Sequence, residues 1–528
     1  MNQKLLHKHQ DSLLIVMGLA FLLIQFLCFY GGYLGYDDLE YVKLAKDFSR
    51  GKFVIEENLY AYRWLVIIPL AIFYKIFGIT DFSNAVITII PTLFILYFTL
   101  KLLKTFSFQS KLISVLFIIF SPIHLLYLEK PMPDIWVELG FLLCFSSYYG
   151  LKYVNKSTKN CIFLFIIGAI ILFLSKESFL VIYPYFLVLF VFDIWAKQNL
   201  LFWKAIFLGL IIFLALYFGG FYLIKGNAFA RLDAIFHNRY ISTCSYDLQP
   251  IGVLIDRILY KLWLDLIRNG FLIPIGFLIV LIKKKEVDAP SKFILWSTVA
   301  MLLLSNFMTI LYTSYVPLCN DARHFLFVIP LLAITFAIGI QNFQLFSLKD
   351  ILLIVSTLVV QLVISDYQDY ENTWLLYVPL IVALLLFYFT KNKPIFIFLV
   401  AISLFAQYVH TMSYNKKIHY SEQKQLFEFI KNDAAPQIRI ITDPCNKEQG
   451  GLFYKYDTTR IQIFEFEEFS SEMKKDKNVK TFIILNGMTA YLSKMGWEDY
   501  PDYVHNFNAT MIKVYFNQGG EVFLWKPE

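Results

Sequence analysis

The chain has 528 residues, of which 58% are hydrophobic and 18% aromatic, while only 16% are charged. Soluble domains carry about 25% charge, so this composition excludes a water-soluble chain. The formal net charge of +7 does not point to nucleic acid, because most of the lysines sit in short gaps between apolar runs, where they set topology.

The apolar excess runs from Leu13 to about Val409 and breaks near Tyr414, which divides the chain into a membrane region, 1–412, and a tail, 413–528. Leu13 to Tyr30 is followed by no small-residue cleavage site and reads as a retained first helix. A bilayer core about 30 Å thick takes ~20 apolar residues per helix. Suitable windows centre on 12–30, 82–103, 112–128, 135–151, 161–174, 179–195, 203–224, 259–282, 293–312, 325–341, 349–365, 375–390 and 394–410, about thirteen spans. Trp64 to Phe77 is apolar but short, contains Pro69 and Lys75, and reads as a helix lying at the interface.

Charge placement gives the sidedness. Alternate gaps carry Lys4 and Lys8, then Lys101, Lys104 and Lys111, then Lys152, Lys156 and Lys159, then Lys197 and Lys204, then Lys283 to Lys285. By the positive-inside rule these gaps, and the N-terminus, are cytoplasmic. The other gaps mix acids, aromatics and isolated bases, and the first of them, 31–81, is the first outer loop. An odd number of spans puts the tail outside as well. High lysine, phenylalanine and isoleucine with few arginines fits a bacterial inner membrane.

Three cysteines, Cys28, Cys144 and Cys161, lie in apolar runs and read as packing residues. Cys244, Cys319 and Cys445 fall in polar segments, where two of them can pair if that side is oxidising. The tail mixes an amphipathic stretch, Glu422 to Lys431, with strand-like runs at Ile438 to Ile441, Ile461 to Phe464 and Thr481 to Ile484. A hairpin signal, Asn517-Gln518-Gly519-Gly520, separates Met511 to Phe516 from Glu521 to Trp525. A small extracytoplasmic α/β domain follows from this pattern.

Ionisable residues are nearly absent from the middle of the windows, where ion-coupled transport needs them. They gather instead at the outer mouths: His124, Asp134, Lys176, Glu177, Asp321, Arg323 and His324. The first outer loop opens with Asp37-Asp38, and two adjacent carboxylates after a span suit a general base, because apolar surroundings and a like charge raise one carboxylate's proton affinity. The same pair also suits a helix cap, as does Asp134 after Pro131 and Pro133. Lys176-Glu177 fits a snorkelling ion pair as well as a site. Arg63 and Arg323-His324 fit either a phosphate contact or an interfacial anchor. Arg231 and Arg239 lie in a long loop and fit a site or a solvated surface.

Taken in order, these positions resemble the GT-C superfamily of membrane glycosyltransferases, near its protein O-mannosyltransferase and lipid A aminoarabinose transferase branch. The matching residues are Asp37, Asp38, Tyr41 and Gly51 after the first helix, Arg63 before an interfacial helix ending Phe77-Gly78, Pro133-Asp134 opening the fourth helix, Lys176 closing the fifth, and Arg323-His324 running to Pro330. Asp38 departs from the pattern, where many relatives have Glu. The resemblance implies a polytopic α-helical GT-C fold of about thirteen helices and transfer of a sugar from a polyprenyl-phosphate donor to an extracytoplasmic lipid, glycan or protein, with inversion. It implies Asp37 as base, with Asp38 and Asp134 orienting the acceptor or holding a divalent cation, and Arg63, Lys176, Arg323 and His324 at the donor phosphate. Tyr41, Glu177, Asp321, Arg231 and Arg239 complete the expected site. A polysaccharide polymerase or ligase with a diphosphate donor, and a lipid or sugar flippase, are the alternatives.

Overall fold

The computed structural model describes residues 3–55, 58–154, 156–237, 244–311, 314–366, 374–417, 419–469, 473, 478–494 and 511–526. Each of the thirteen apolar windows falls on helix: α1 (Gln3–Phe29), α4 (Asp81–Leu102), α5 with α6 (Phe108–Ile119, Pro122–Leu128), α7 (Asp134–Tyr153), α8 (Thr158–Ser175), α9 (Phe179–Trp195), α10 (Leu200–Lys225), α13 with α14 (Leu262–Arg268, Ile275–Lys283), α15 (Ala289–Phe307), α16 (Ile329–Gln341), α17 (Leu348–Asp366), α18 (Trp374–Thr390) and α19 (Lys393–Lys417). Two short loop helices, α11 (Ala230–His237) and α12 (Ile251–Asp256), stand between α10 and α13. Among the described residues, seven helices are long and apolar enough to cross a membrane unaided, or eight if α5 and α6, bent by 59°, count as one. The remaining windows are shorter, interrupted or, in the 20-residue α7 and the 19-residue α15, less apolar. The window 259–282 is the clearest case: it opens in a π turn at Arg257–Lys261, and a left-handed Gly270 separates α13 from α14.

The first loop folds into α2 (Asp37–Ser49), a 3-10 turn (Leu59–Tyr62) and α3 (Trp64–Phe77). Along α3, Val66, Ile67, Leu70, Ala71 and Tyr74 are buried, while Ile72, Ile76 and Phe77 are exposed. That division of faces fits the expected interfacial helix. Helix α7 is held against α8 by a close backbone approach: a Cβ on Gly140 would stand 2.9 Å from the Gly168 carbonyl, and one on Gly168 2.7 Å from the Gly140 carbonyl. Small residues allow this contact, and it brings the first residue of α7 beside the residue that follows α8.

Helix α19 runs past the expected break near Tyr414 to Lys417. The tail then forms α20 (Tyr420–Lys431) and a five-stranded sheet in the order β2-β1-β3-β5-β4, with β1 (Ile438–Thr442), β2 (Ile461–Glu465), β3 (Lys480–Leu485), β4 (Met511–Asn517) and β5 (Gly520–Trp525). Strand β1 pairs parallel with β2 and β3, and the β4–β5 hairpin closes at Asn517 and Gly520. β1 is buried along its whole length, including Arg439 and Thr442, as a central strand covered on both faces is. Helix α21 (Pro444–Phe453) follows β1; Asp443 caps it by accepting the Asn446 N–H at 2.8 Å, and Pro444 occupies its first turn.

Candidate active site

The start of the first loop is pinned from the membrane side. Glu129 accepts the Gly31 N–H at 2.8 Å and the Gln25 amide at 2.9 Å. Gly32 has a positive φ of 73°, and the Tyr420 ring occupies the place of a Cβ. The next residues close on Asp38, whose carboxylate accepts the N–H groups of Leu34, Gly35 and Leu39 at 2.5, 3.1 and 3.0 Å. Asp38 is wholly buried. Burial pushes its carboxyl up, and the Leu34 and Gly35 N–H groups and Lys130 offset this only in part.

Asp37 is its opposite. It lines a cavity of about 970 Å³, together with Leu34, Tyr36, Glu40, Asn58, Tyr60, Tyr127, Met132, Asp321, Arg323, Pro444 and Glu448. Its carboxylate pairs with the Arg323 guanidinium at 3.0 Å and accepts the Tyr60 hydroxyl at 2.6 Å. Partial burial opposes ionisation, but Arg323, the Tyr60 hydroxyl, Arg63 and Lys176 outweigh it and hold Asp37 below the usual carboxylate range. The carboxylate of raised proton affinity is therefore Asp38, mainly through burial, and the one that faces open space is Asp37.

Behind this wall lies a layer of buried charge. Lys176 donates to Asp134 at 2.8 Å and stands 2.8 Å from His324 Nδ1, which is 3.2 Å from the same Asp134 oxygen. Arg63 pairs with Glu177 at 2.9 Å, hydrogen-bonds the Tyr41 hydroxyl, and lies over the Tyr60 ring. Arg231 stands 3.8 Å from the other Glu177 oxygen and 4.7 Å from the centre of the Phe173 ring. Although burial opposes ionisation of Asp134 and Glu177, Lys176 holds the first below the usual carboxylate range, and Arg63 and Arg231 hold the second there. Asp134, Lys176, Glu177, Arg231 and His324 are each at least 96% buried.

Asp37, Arg323 and Asp321 thus meet in the cavity, while Asp134, Lys176, His324, Arg63, Tyr41, Glu177 and Arg231 form the buried layer. Arg239 lies outside the described residues. Asp37, Asp38 and Asp134, set out as ligands for a divalent cation, do not converge: each has its own partners, and no group of three His, Cys, Asp or Glu residues among the described residues is placed to hold a metal. His124, expected at the outer mouths, is buried 3.3 Å from Glu138 of α7. The Cys244–Cys319 disulfide forms and ties the segment after α11 to the loop that carries Asp321 and Arg323.

Several residues of the site carry no sequence signal. Tyr60 is one tyrosine among 34. Glu448 lies more than 400 residues from Asp37. Arg257 is fully buried, donates to the Leu318, Asn306 and Ser305 carbonyls at 2.8 to 3.3 Å, and so fixes the loop ahead of Arg323. A lone arginine in a polar stretch gave no hint of that role.

No protein-family model matches the sequence, and no curated protein matches it significantly. The fold is matched over almost its full length. The structure of ArnT from Cupriavidus metallidurans bound to undecaprenyl phosphate superposes with a TM-score of 0.58 at 12% identity, covering 97% of each chain, and its apo state with 0.59 at the same identity and coverage. An apo oligosaccharyltransferase from Archaeoglobus fulgidus gives a TM-score of 0.45 at 11% identity, over 98% of this chain and 74% of that one. At such identity the likeness speaks for architecture, and this chain is a polytopic membrane protein with the GT-C fold.

Proposed function

We propose that the chain is a membrane glycosyltransferase that moves a sugar from a polyprenyl-phosphate donor to an acceptor on the extracytoplasmic side. The observation that carries this reading is Asp37: an ionised carboxylate that faces a cavity, fixed by Arg323 and Tyr60, with a cation-rich layer behind it. The fold it shares with ArnT, a protein that binds undecaprenyl phosphate, supports the lipid-linked donor.

In the proposed step the acceptor hydroxyl gives its proton to Asp37 while its oxygen attacks the anomeric carbon. The bond from that carbon to the phosphate oxygen breaks with inversion, and the lipid phosphate departs with the electron pair. Lys176, Arg63, Arg231 and Arg323 stabilise its growing charge, and fixed cations in a water-poor site do this best because they need no reorganisation. Asp134 and His324 orient Lys176, and Glu177 and Tyr41 orient Arg63. Asp38 acts through the loop, holding Asp37 at its tip. By this reading α2, the cavity and the C-terminal domain lie outside the cell membrane and the lysine-rich gaps lie inside.

The test is mass spectrometry of polyprenyl-phospho-sugars after native lipid extract and envelope acceptors are incubated with the purified protein. The parent consumes one donor, and Asp37→Asn loses about 10²–10⁴-fold in turnover while keeping its thermal stability. Retained turnover removes Asp37 from the base role. No consumption by the parent removes the monophosphate-donor reading.

A further inference from the structure

The cavity beside Asp37 is closed by two parts of the molecule. One wall is the first loop with Tyr60, Tyr127, Asp321 and Arg323; the other is α21 of the C-terminal domain, through Pro444 and Glu448. These two residues are four apart on one helix face. The wall is firmly seated: a Cβ on Gly35 would stand 3.0 Å from Cys445 Cβ, so the domain rests directly on the loop that carries Asp37. Asn446 and Asn486 exchange amide hydrogen bonds at 2.8 and 2.9 Å, and Thr489 donates to Asp443 at 2.6 Å, which fixes the start of α21 to the end of β3. The crevice at the carboxyl ends of β1 and β3, where the strand order reverses and α/β sheets commonly bind ligands, is here turned toward the first loop.

The charges on the two walls do not balance. Asp37, Glu40, Asp321 and Glu448 line the cavity, where Arg323 is the one cation in the lining; Glu40 has Lys43 at 3.9 Å and the Asn58 amide at 3.4 Å. Arg323 is already shared between Asp37 at 3.0 Å and Asp321 at 2.8 Å. Glu448 makes no hydrogen bond or ion pair among the described residues. These carboxylates form no metal cluster. Between them stand the rings of Tyr36, Tyr60 and Tyr127, flat amphipathic faces that suit a sugar ring.

We propose, resting on the glycosyl-transfer reading above, that this cavity is the acceptor subsite and that it takes a sugar hydroxyl on a glycan bearing no negative charge near the reacting position. The C-terminal domain supplies the selection through Glu448. A neutral sugar offers hydroxyl donors to the carboxylates, and an amino sugar adds attraction. A phosphorylated sugar meets the excess of like charge in this solvated cavity, which is how a site rejects a near relative of its substrate.

The experiment uses the full chain in lipid nanodiscs with native donor extract. Octyl glucoside, octyl glucosaminide and octyl glucoside 6-phosphate serve as acceptor probes, and kcat/KM is measured at low and high salt. The first two are expected to be used at least about tenfold better than the phosphate at low salt, with the gap shrinking as salt screens the field. Glu448→Gln narrows the gap, and Glu448→Lys reverses its sign. Equal use of all three probes, or an unchanged gap in both variants, overturns the proposal. If envelope acceptors drive donor consumption but no probe is glycosylated, the sugar-acceptor assignment falls and the glycosyltransferase reading stands. If no acceptor at all drives consumption, both fall together.

Discussion

Two charged regions flank Asp37, and they are built on opposite rules. In the buried layer every carboxylate is matched: Asp134 by Lys176, and Glu177 by Arg63 and Arg231. Four carboxylates line the cavity with one shared guanidinium, and among the described residues Glu448 makes no hydrogen bond or ion pair. Burying an unmatched charge costs several kcal/mol, so the layer has to balance itself, whereas a solvated cavity can carry an excess. The difference teaches which charges are there for the fold and which can be spent on a ligand.

Breaking the balance in the layer has the largest expected effect. Lys176→Met leaves Asp134 buried beside His324 without its ammonium, and removing one partner of such a pair typically destabilises by about 3–5 kcal/mol. The double variant Asp134→Asn with Lys176→Met removes both charges and should recover much of that loss. Thermal unfolding in detergent checks both. Equal damage in the single and double variants means that the layer is not held by charge balance.

Glu129 sharpens the comparison, because it is buried and, among the described residues, has no ion pair. Lys130 turns its ammonium to the Leu126 carbonyl at 2.7 Å. Burial pushes the Glu129 carboxyl up to about 7, against the opposing pull of Lys130, the Gly31 N–H and Gln25. An ordinary glutamate titrates near ~4.3. The folded state therefore holds the proton more tightly, and stability is lost as pH rises from the ordinary value toward 7, staying lost above it. Glu129→Gln does not titrate, so its stability relative to the parent should improve by roughly 2–3 kcal/mol between pH 5 and pH 8. Melts at the two pH values measure this, and a difference that does not change with pH contradicts it.

The same contrast explains what could be read from the sequence. Long apolar runs show themselves by composition alone, so the helices were legible, as was the hairpin at Asn517 to Gly520. Whether each window spans unaided was not, because Gly270 and the bend between α5 and α6 act locally inside apolar stretches. Asp37, Arg323, Asp134 and Lys176 stood out as charges at helix mouths. Their division into cavity and layer did not, since it rests on pairings such as Arg63 with Glu177, 114 residues apart, and Asp134 with His324, 190 apart. Nor could the chain tell Asp37 from Asp38: the distinction comes from backbone N–H groups converging on one of them.

The smallest effect is expected where α20 meets the start of the first loop. The Tyr420 hydroxyl donates to Asp81 at 2.8 Å, and its ring sits on Gly32 at the start of the first loop. Asp81 keeps two other partners, Tyr33 at 3.0 Å and Lys424 at 3.3 Å. Tyr420→Phe keeps the ring and removes one bond of three, so it should cost only about 1 kcal/mol. Gly32→Ala puts a methyl group where the ring lies, at a φ of 73° that alanine rarely adopts, and should cost more. If Tyr420 matters chiefly as the seat of the loop, Gly32→Ala also lowers turnover while Tyr420→Phe leaves it near the parent's. If the hydroxyl itself seats the domain, Tyr420→Phe raises the acceptor KM at unchanged saturating turnover, because the wall that carries Glu448 moves and Asp37 does not. Steady-state kinetics of the two variants separates these outcomes.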